Sequence, residues 1–266
     1  MPTTDNWFVS DPALLLARRS LYRFLALSLV DPRTPSWASL DALRDNPLLP
    51  AAAALIRDTP SAQPAALTLG ERPLNALVPE NVLACLPASE ADFNAEYEET
   101  FGLLVAGACP PYEMEYIPEK FTFQRSNALA DIAGFYRAFG FAVSSRYPER
   151  PDHIVLEMEF MSLLVGLQSR ALNDASPLGR ERESVCRQAQ ARFLGQHLAW
   201  WTPALARLLS RENPCGYFAA VGELLSAFIP AERGLLEVDA PQMAAETKPR
   251  IIERPEACEG CHLAVS

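Results

Sequence analysis

Basic side chains are scarce in this sequence. Lys and Arg number 23 against 33 Asp and Glu, which gives a formal net charge of -10 and an isoelectric point near 4.9. Binding to a nucleic acid backbone depends on Lys and Arg that neutralise phosphates, so this balance argues against a nucleic acid partner. It favours a basic partner, although acidity is also how many cytosolic proteins remain in solution.

Long apolar runs are lacking as well. No stretch reaches the roughly 20 apolar residues that cross a bilayer, and residues 1–6 show no basic segment followed by an apolar one. These absences predict a cytoplasmic protein without stable membrane insertion. The six cysteines are mostly isolated in the sequence, so we expect them to be reduced cytosolic thiols.

The sequence also has no alternating strand pattern, no glycine-rich phosphate loop and no internal repeat. Without such a loop, efficient nucleotide hydrolysis is not expected. Helical periodicity recurs along the chain, and 49% of the residues are hydrophobic, which is ample for a core. The predicted class is all-α. The predicted helices are 12–29, 37–44, 48–57, 81–85, 89–102, 126–139, 154–170, 180–198, 203–210 and 217–229.

One stretch combines charge, a proline and a helix start. Residues 149–154 read Glu-Arg-Pro-Asp-His-Ile, and an apolar helix follows. Pro151 suits the first helical turn, and Asp152 is expected to accept hydrogen bonds from the free N–H groups of that turn. With His153, it places an acid and an imidazole on a rigid turn, which suits a cationic or peptide-like ligand. A simple helix cap beside a solvated histidine would give the same pattern.

Aromatic residues mark a second region. Phe93, Tyr97 and Phe101 recur every four residues on one face of a predicted helix, and a Pro-Pro-Tyr-Glu loop with Tyr112 and Glu113 follows. These aromatics could line a groove for the apolar part of a peptide. The same spacing is equally typical of a buried core.

Several segments, in the expected order between residues 14 and 229, resemble the TorD/DmsD family of all-helical chaperones for twin-arginine-exported molybdoenzymes. Thr100 departs from the Leu that is usual in the family, and His197 is predicted to be a core or turn residue rather than a ligand. The segments are Leu21-Tyr22-x-x-Leu25-Ala26, Tyr97-x-x-Thr100-Phe101-Gly102, Pro110-Pro111-Tyr112-Glu113, Glu149-x-Pro151-Asp152-His153-Ile154 and Phe193-Leu194-x-x-His197-Leu198-x-x-Trp201-x-Pro203.

The resemblance implies one bundle of about ten helices over residues 1–230, with a hinge near residues 140–152 between sub-bundles 1–140 and 152–230. It also implies a monomer or domain-swapped dimer without catalytic activity. Such a chaperone binds the twin-arginine signal peptide or the apo form of a molybdopterin oxidoreductase catalytic subunit, and assists cofactor insertion and proofreading before export. Carboxylates would pair with the two guanidiniums of the peptide. The predicted peptide-binding residues are Glu149, Pro151, Asp152, His153, Tyr97, Phe101, Tyr112 and Glu113.

Residues 231–266 lack an amphipathic stripe and are rich in Glu, Pro and Ala, so they predict an extended or partly disordered tail. Cys258, Cys261 and His262 form a Cys-x-x-Cys-His motif there. This is the spacing of a covalent haem site, although such attachment normally needs an oxidising compartment, and two thiolates could also share zinc or iron with ligands from elsewhere. The alternatives are a metal- or iron–sulfur-binding maturation or electron-transfer protein and, since some members of the family are associated with guanine nucleotide, a GTP-binding protein.

Overall fold

A computed structural model of the protein describes residues 11–102, 108–117 and 122–242. These ranges contain no β-strand, only an isolated bridge between Tyr112 and His153, so the all-α prediction is confirmed. No helix in them is both long and apolar enough to cross a membrane. The helices are α1 (Pro12–Leu29), α2 (Trp37–Asp41), α3 (Leu48–Arg57), α4 (Pro79–Ala84), α5 (Glu90–Phe101), α6 (Thr122–Ala138), α7 (Ile154–Leu172), α8 (Pro177–Phe193), α9 (Ala199–Glu212) and α10 (Tyr217–Leu235).

Helix α1 forms where the sequence predicts it and lies at the centre of the bundle. Asp11 caps it by accepting a hydrogen bond from the Ala13 amide at 2.8 Å, and Pro12 occupies the first turn. Its buried face packs most extensively against α7 and then against α3. The buried apolar residues of the described chain form one cluster that includes both α1 and α7. The core is therefore shared between the two predicted sub-bundles.

The end of α6 sets the position of the loop that leads into α7. Gly140 has a φ of 68° and donates its amide to the Arg137 carbonyl, while the Phe141 amide reaches back to Tyr136 at 2.8 Å. A residue without Cβ adopts this left-handed conformation at little cost, so Gly140 ends the helix as predicted. The predicted start at Ser126 is wrong, because α6 already begins at Thr122. Serine is only a modest helix former and also occurs inside helices, so it did not mark the cap.

Proline does not end the late helices. Leu194–Leu198 form a π-helical turn that joins α8 to α9, and Pro203 lies within the early part of α9. The sequence predicted a break between residues 198 and 203, but there the π-helical turn connects α8 directly to α9. Residues 180–212 are therefore nearly continuous helix.

Helix α10 corrects the predicted boundary between the bundle and the tail. We predicted that the helix ends at residue 229 and that residues 231–266 form a tail, but α10 passes through Pro230 and ends at Leu235. Proline lacks the N–H that would bond the carbonyl four residues back. Here that carbonyl, of Ser226, accepts the Arg72 amide at 2.8 Å instead. Ala231, Glu232 and Leu235 are buried, so they belong to the core.

A buried ion pair ties the end of α10 to α1. Arg18 donates from Nε to Glu232 Oε1 at 2.8 Å and from Nη2 to Oε2 at 2.7 Å. The Tyr22 hydroxyl adds a bond of 2.9 Å to Oε2, and Gln190 accepts a bond of 2.8 Å from Arg18. This bidentate pair supports an otherwise costly buried carboxylate.

Candidate functional site

The turn before α7 is clamped against the loop at residues 108–117. The Glu113 amide donates to the Asp152 carbonyl at 3.0 Å, and the Ile154 amide donates to the Pro111 carbonyl at 2.9 Å. The Pro151 carbonyl accepts the Tyr136 hydroxyl at 2.8 Å. The two segments that carry most of the predicted site are therefore brought together by backbone bonds.

His153, not Asp152, caps α7. Its Nδ1 accepts the Val155 amide at 3.2 Å, so in the neutral ring the proton resides on Nε2. The side chain is buried, and burial lowers the pKa of His153 to about 4. The nearby carboxylates of Glu149, Asp152 and Asp31 act in the opposite direction and raise the pKa, but by less. The imidazole is therefore neutral at pH 7.

Asp152 is a buried structural acceptor. Its Oδ1 takes a bond of 3.0 Å from Arg150 Nε, and its Oδ2 takes bonds of 2.8 Å from Arg150 Nη2 and 3.1 Å from the Met114 amide. The side chain has 0% exposure. The prediction that Asp152 caps the helix is wrong, because its carboxylate turns to Arg150 and the neighbouring loop.

Arg150 lies at the surface of this turn. Its side chain is 43% exposed, its guanidinium lies 4.4 Å from the centre of the Tyr112 ring, and Nη1 reaches Glu115 Oε1 at 3.2 Å. The Tyr112 hydroxyl donates to Glu149 Oε1 at 3.2 Å. Burial and the nearby Glu149 carboxylate raise the pKa of Tyr112 to about 12, so its hydroxyl keeps its proton.

A cavity of about 630 Å³ opens beside the turn. Glu149 and His153 form part of its wall, so two predicted site residues face it together. Its charged lining also contains Asp31, which accepts Arg33 Nε at 2.8 Å. The remaining lining residues are Val30, Thr34, Ala142, Ser144, Arg146, Tyr147, Pro148, Val155, Leu156 and Glu159.

A second cavity, of about 810 Å³, adjoins the first and shares Val30 and Glu159 with it. Its wall has an apolar part that includes Phe24, Leu27 and Leu163. Arg19 and Arg23 also line this second cavity, so both cavities combine charged and apolar side chains, the first beside the α7 turn and the second along α1.

Glu113 lies behind the turn, away from solvent. It is 1% exposed, and its carboxylate bonds His197 Nδ1 at 3.1 Å and Trp200 Nε1 at 2.7 Å. His197 also reaches Asp131 at 3.2 Å, and its position in the core agrees with the prediction. Burial raises the pKa of Glu113 and that of Glu157, which accepts Trp201 Nε1 at 3.3 Å. Glu113 is therefore placed to support the loop rather than to meet a ligand.

Tyr97 and Phe101 are core residues. Their exposures are 6% and 5%, their rings lie 4.7 Å apart, and both pack against Phe218 of α10. Neither forms part of the wall of the two cavities. The predicted aromatic groove is wrong for these two residues, because α10 covers the stripe.

The predicted metal ligands Cys258, Cys261 and His262 lie outside the described residues, so the proposed zinc or iron site stays a prediction. Within the described ranges, no group of three or more His, Cys, Asp and Glu side chains could hold a metal ion. The GTP alternative likewise stays a prediction.

Sequence reasoning missed Arg150 and the Asp31–Arg33 pair. Arg150 lies inside the same hexapeptide as Asp152, and the two side chains are close enough in sequence to pair directly. The opposite charges of Arg150 and Asp152, one on each side of Pro151, could have indicated this ion pair. Asp31 and Arg33 come from the far end of α1, and only the packing of α1 on α7 brings them to the cavity.

An all-α bundle with a Pro-Asp-His turn at a helix start is the architecture expected of a TorD/DmsD-type redox-enzyme maturation chaperone. Comparison with known proteins agrees with this class. Residues 69–207, more than half of the chain, match the family model described as nitrate reductase delta subunit. The chain belongs to this family of TorD-like maturation chaperones.

Its relatives are named as chaperones. The chain is 31% identical over 154 residues to the selenate reductase assembly chaperone protein of Thauera selenatis, which covers 58% of this chain and 73% of the relative. It is 31% identical over 135 residues to the chlorate reductase assembly chaperone protein of Ideonella dechloratans, or 51% of this chain and 64% of that protein. The chaperone protein TorD of Photobacterium profundum is 27% identical over 126 residues, which are 47% of this chain and 55% of that protein.

Proposed function

We propose that this protein is a cytoplasmic, system-specific chaperone for the catalytic subunit of a molybdopterin oxidoreductase. It binds the twin-arginine signal peptide or the apo form of that subunit, and it assists cofactor insertion and proofreading before export. Membership of a family whose relatives are named assembly chaperones supports this role. The observation that carries the peptide part is the cavity beside the α7 turn, with Glu149 in its wall.

Glu149 has the chemistry to receive a guanidinium. Its Oε1 accepts the Tyr112 hydroxyl at 3.2 Å and the Arg150 amide at 2.8 Å, while Oε2 has no hydrogen bond within the described chain. A carboxylate with one oxygen fixed and one available can form a directed, charge-assisted bond to arginine. The formal net charge of -10 adds a general attraction for a cationic segment.

The apolar part of a signal peptide also finds a surface here. Val155 and Leu156 line the first cavity, and Phe24, Leu27 and Leu163 line the second. A peptide whose arginines sit near Glu149 would lay its following apolar residues along α1. Burial of apolar side chains there would contribute roughly 25 cal/mol for each Å² removed from water.

Glu149→Gln should weaken binding of an Arg-Arg signal peptide roughly tenfold, or about 1.4 kcal/mol, because a charge-assisted bond becomes a neutral one. Titration calorimetry with the peptide measures this. Glu181→Gln is the matched control, because it removes the same charge and Glu181 is an exposed residue near the start of α8 that lines neither cavity. The wild-type protein should also bind the Arg-Arg peptide more tightly than its Lys-Lys counterpart. Equal affinities for the two peptides, or an unchanged Glu149→Gln, would contradict the proposal.

A further inference from the structure

The turn before α7 already contains a bound guanidinium, and it belongs to the chain itself. Arg150 makes a two-point contact with Asp152 at 3.0 and 2.8 Å, packs over the Tyr112 ring at 4.4 Å and reaches Glu115 at 3.2 Å. A forked carboxylate pair, an aromatic face and a second acid are the contacts that recognise arginine rather than lysine. They form a complete arginine site whose occupant is internal.

We propose that this is a second arginine-binding site for the client peptide, and that Arg150 is its internal competitor. An arginine of the client displaces the Arg150 side chain and takes over its contacts with Asp152 and Tyr112. This inference rests on the proposed function, since it assigns a subsite to the second arginine of the same peptide.

Exposure supports the exchange. Asp152 has 0% exposure, whereas the Arg150 side chain that covers it is 43% exposed. The Met114 amide holds Asp152 from the protein side, so the carboxylate remains in position when Arg150 leaves. Replacing one guanidinium by another leaves no buried charge unpaired, which removes the main cost of opening such a site.

The two acidic sites adjoin each other. Glu149 bonds the hydroxyl of Tyr112, and the guanidinium held by Asp152 lies over the ring of the same tyrosine. One aromatic side chain thus separates a carboxylate in the cavity wall from a carboxylate that is already engaged by arginine. Two neighbouring arginines in a peptide match this pair of sites, one at each side of Tyr112.

The inference is tested by removing Arg150 and measuring whether the affinity for the Arg-Arg peptide increases. Arg150→Gln should bind the Arg-Arg peptide about tenfold more tightly than wild type, because the internal competitor is gone. Arg182→Gln is the matched control: it removes the same charge, and Arg182 is an exposed arginine of α8 that lines neither cavity. That variant should change the affinity less than about twofold, since a single exposed charge acts weakly at physiological salt.

Titration calorimetry at one salt concentration, with thermal melts of each protein, reads the result. A gain in affinity of Arg150→Gln well above that of Arg182→Gln supports the inference. Equal changes in the two variants, or a loss of affinity in Arg150→Gln, overturn it, and the proposed function then still stands if the wild-type protein binds the peptide. Binding by neither wild type nor Arg150→Gln would overturn both. If Arg150→Gln does not fold, Arg150→Lys replaces it, since lysine keeps the charge but cannot form the fork. That variant must also bind more tightly than wild type, and an unchanged affinity overturns the inference.

Discussion

A chain that ends at residue 230 should not fold cooperatively, whereas a chain that ends at residue 242 should melt as the full-length protein does. The shorter chain loses the last turn of α10, in which Glu232, Arg233 and Leu235 are buried. The longer chain keeps every contact of the described residues. Far-UV circular dichroism during a thermal melt distinguishes the two.

The size of the effect follows from two ion pairs. Without Glu232, the buried Arg18 guanidinium has lost its carboxylate, which typically costs about 3–5 kcal/mol. Without Arg233, the buried Glu71 carboxylate loses bonds of 3.0 and 2.6 Å. Either loss is large beside the roughly 5–15 kcal/mol that stabilise an ordinary domain.

A point variant separates these ion pairs from truncation itself. Full-length Glu232→Ala should be destabilised by several kcal/mol yet retain its helical spectrum at low temperature, because the rest of α10 is intact. A 230-residue chain with the same melting midpoint as wild type would show that the end of α10 contributes no stability.

Acid should destabilise the protein through His153. In the unfolded chain a histidine titrates near pH 6.5, whereas in the folded chain the pKa of His153 is about 4. Between these values the unfolded chain binds a proton that the folded chain does not, so the free energy of unfolding falls as the pH drops from about 6.5 to 4. The full contribution is on the order of 3 kcal/mol, and it is present above pH 6.5.

Other groups oppose this trend, so a variant must isolate it. The raised pKa values of Glu113 and Glu157 mean that the folded chain holds protons that the unfolded chain releases, and their contribution therefore declines as the pH rises. His153→Asn removes the titration while asparagine can still cap α7. Urea unfolding at pH 7 and pH 5 should show a steeper acid loss in wild type than in the variant. Parallel pH profiles would mean that the His153 pKa is close to its ordinary value.

The sequence predicted helix ends correctly where neighbouring residues determine them. The Asp11–Pro12 start of α1 and the Gly140 end of α6 depend on residues next to the helix end, and both predictions are confirmed. The end of α10 was wrong because it depends on a distant partner. Pro230 ends a helix in isolation, but the Arg72 amide, far away in sequence, bonds the carbonyl that the proline leaves free.

The position of the turn before α7 was predicted, but the roles of its side chains were not. The Glu-Arg-Pro-Asp-His stretch does form a rigid turn beside a cavity, with Glu149 and His153 in its wall. Which side chain caps the helix and which is buried depends on the loop at residues 108–117 that packs onto the turn, and that contact has no local signal in the sequence. Similarly, helical spacing identified Tyr97 as part of a stripe but could not reveal that α10 covers it.

The proposed peptide site is tested most directly by hydrogen–deuterium exchange of the wild-type protein with and without a saturating Arg-Arg signal peptide. Binding at the proposed site should slow exchange in the two segments that contribute to the wall of the first cavity, residues 31–34 and 142–149, and the effect should be smaller with the Lys-Lys peptide at the same concentration. Protection confined to other parts of the chain, with these two segments unchanged at saturation, would contradict the proposed site.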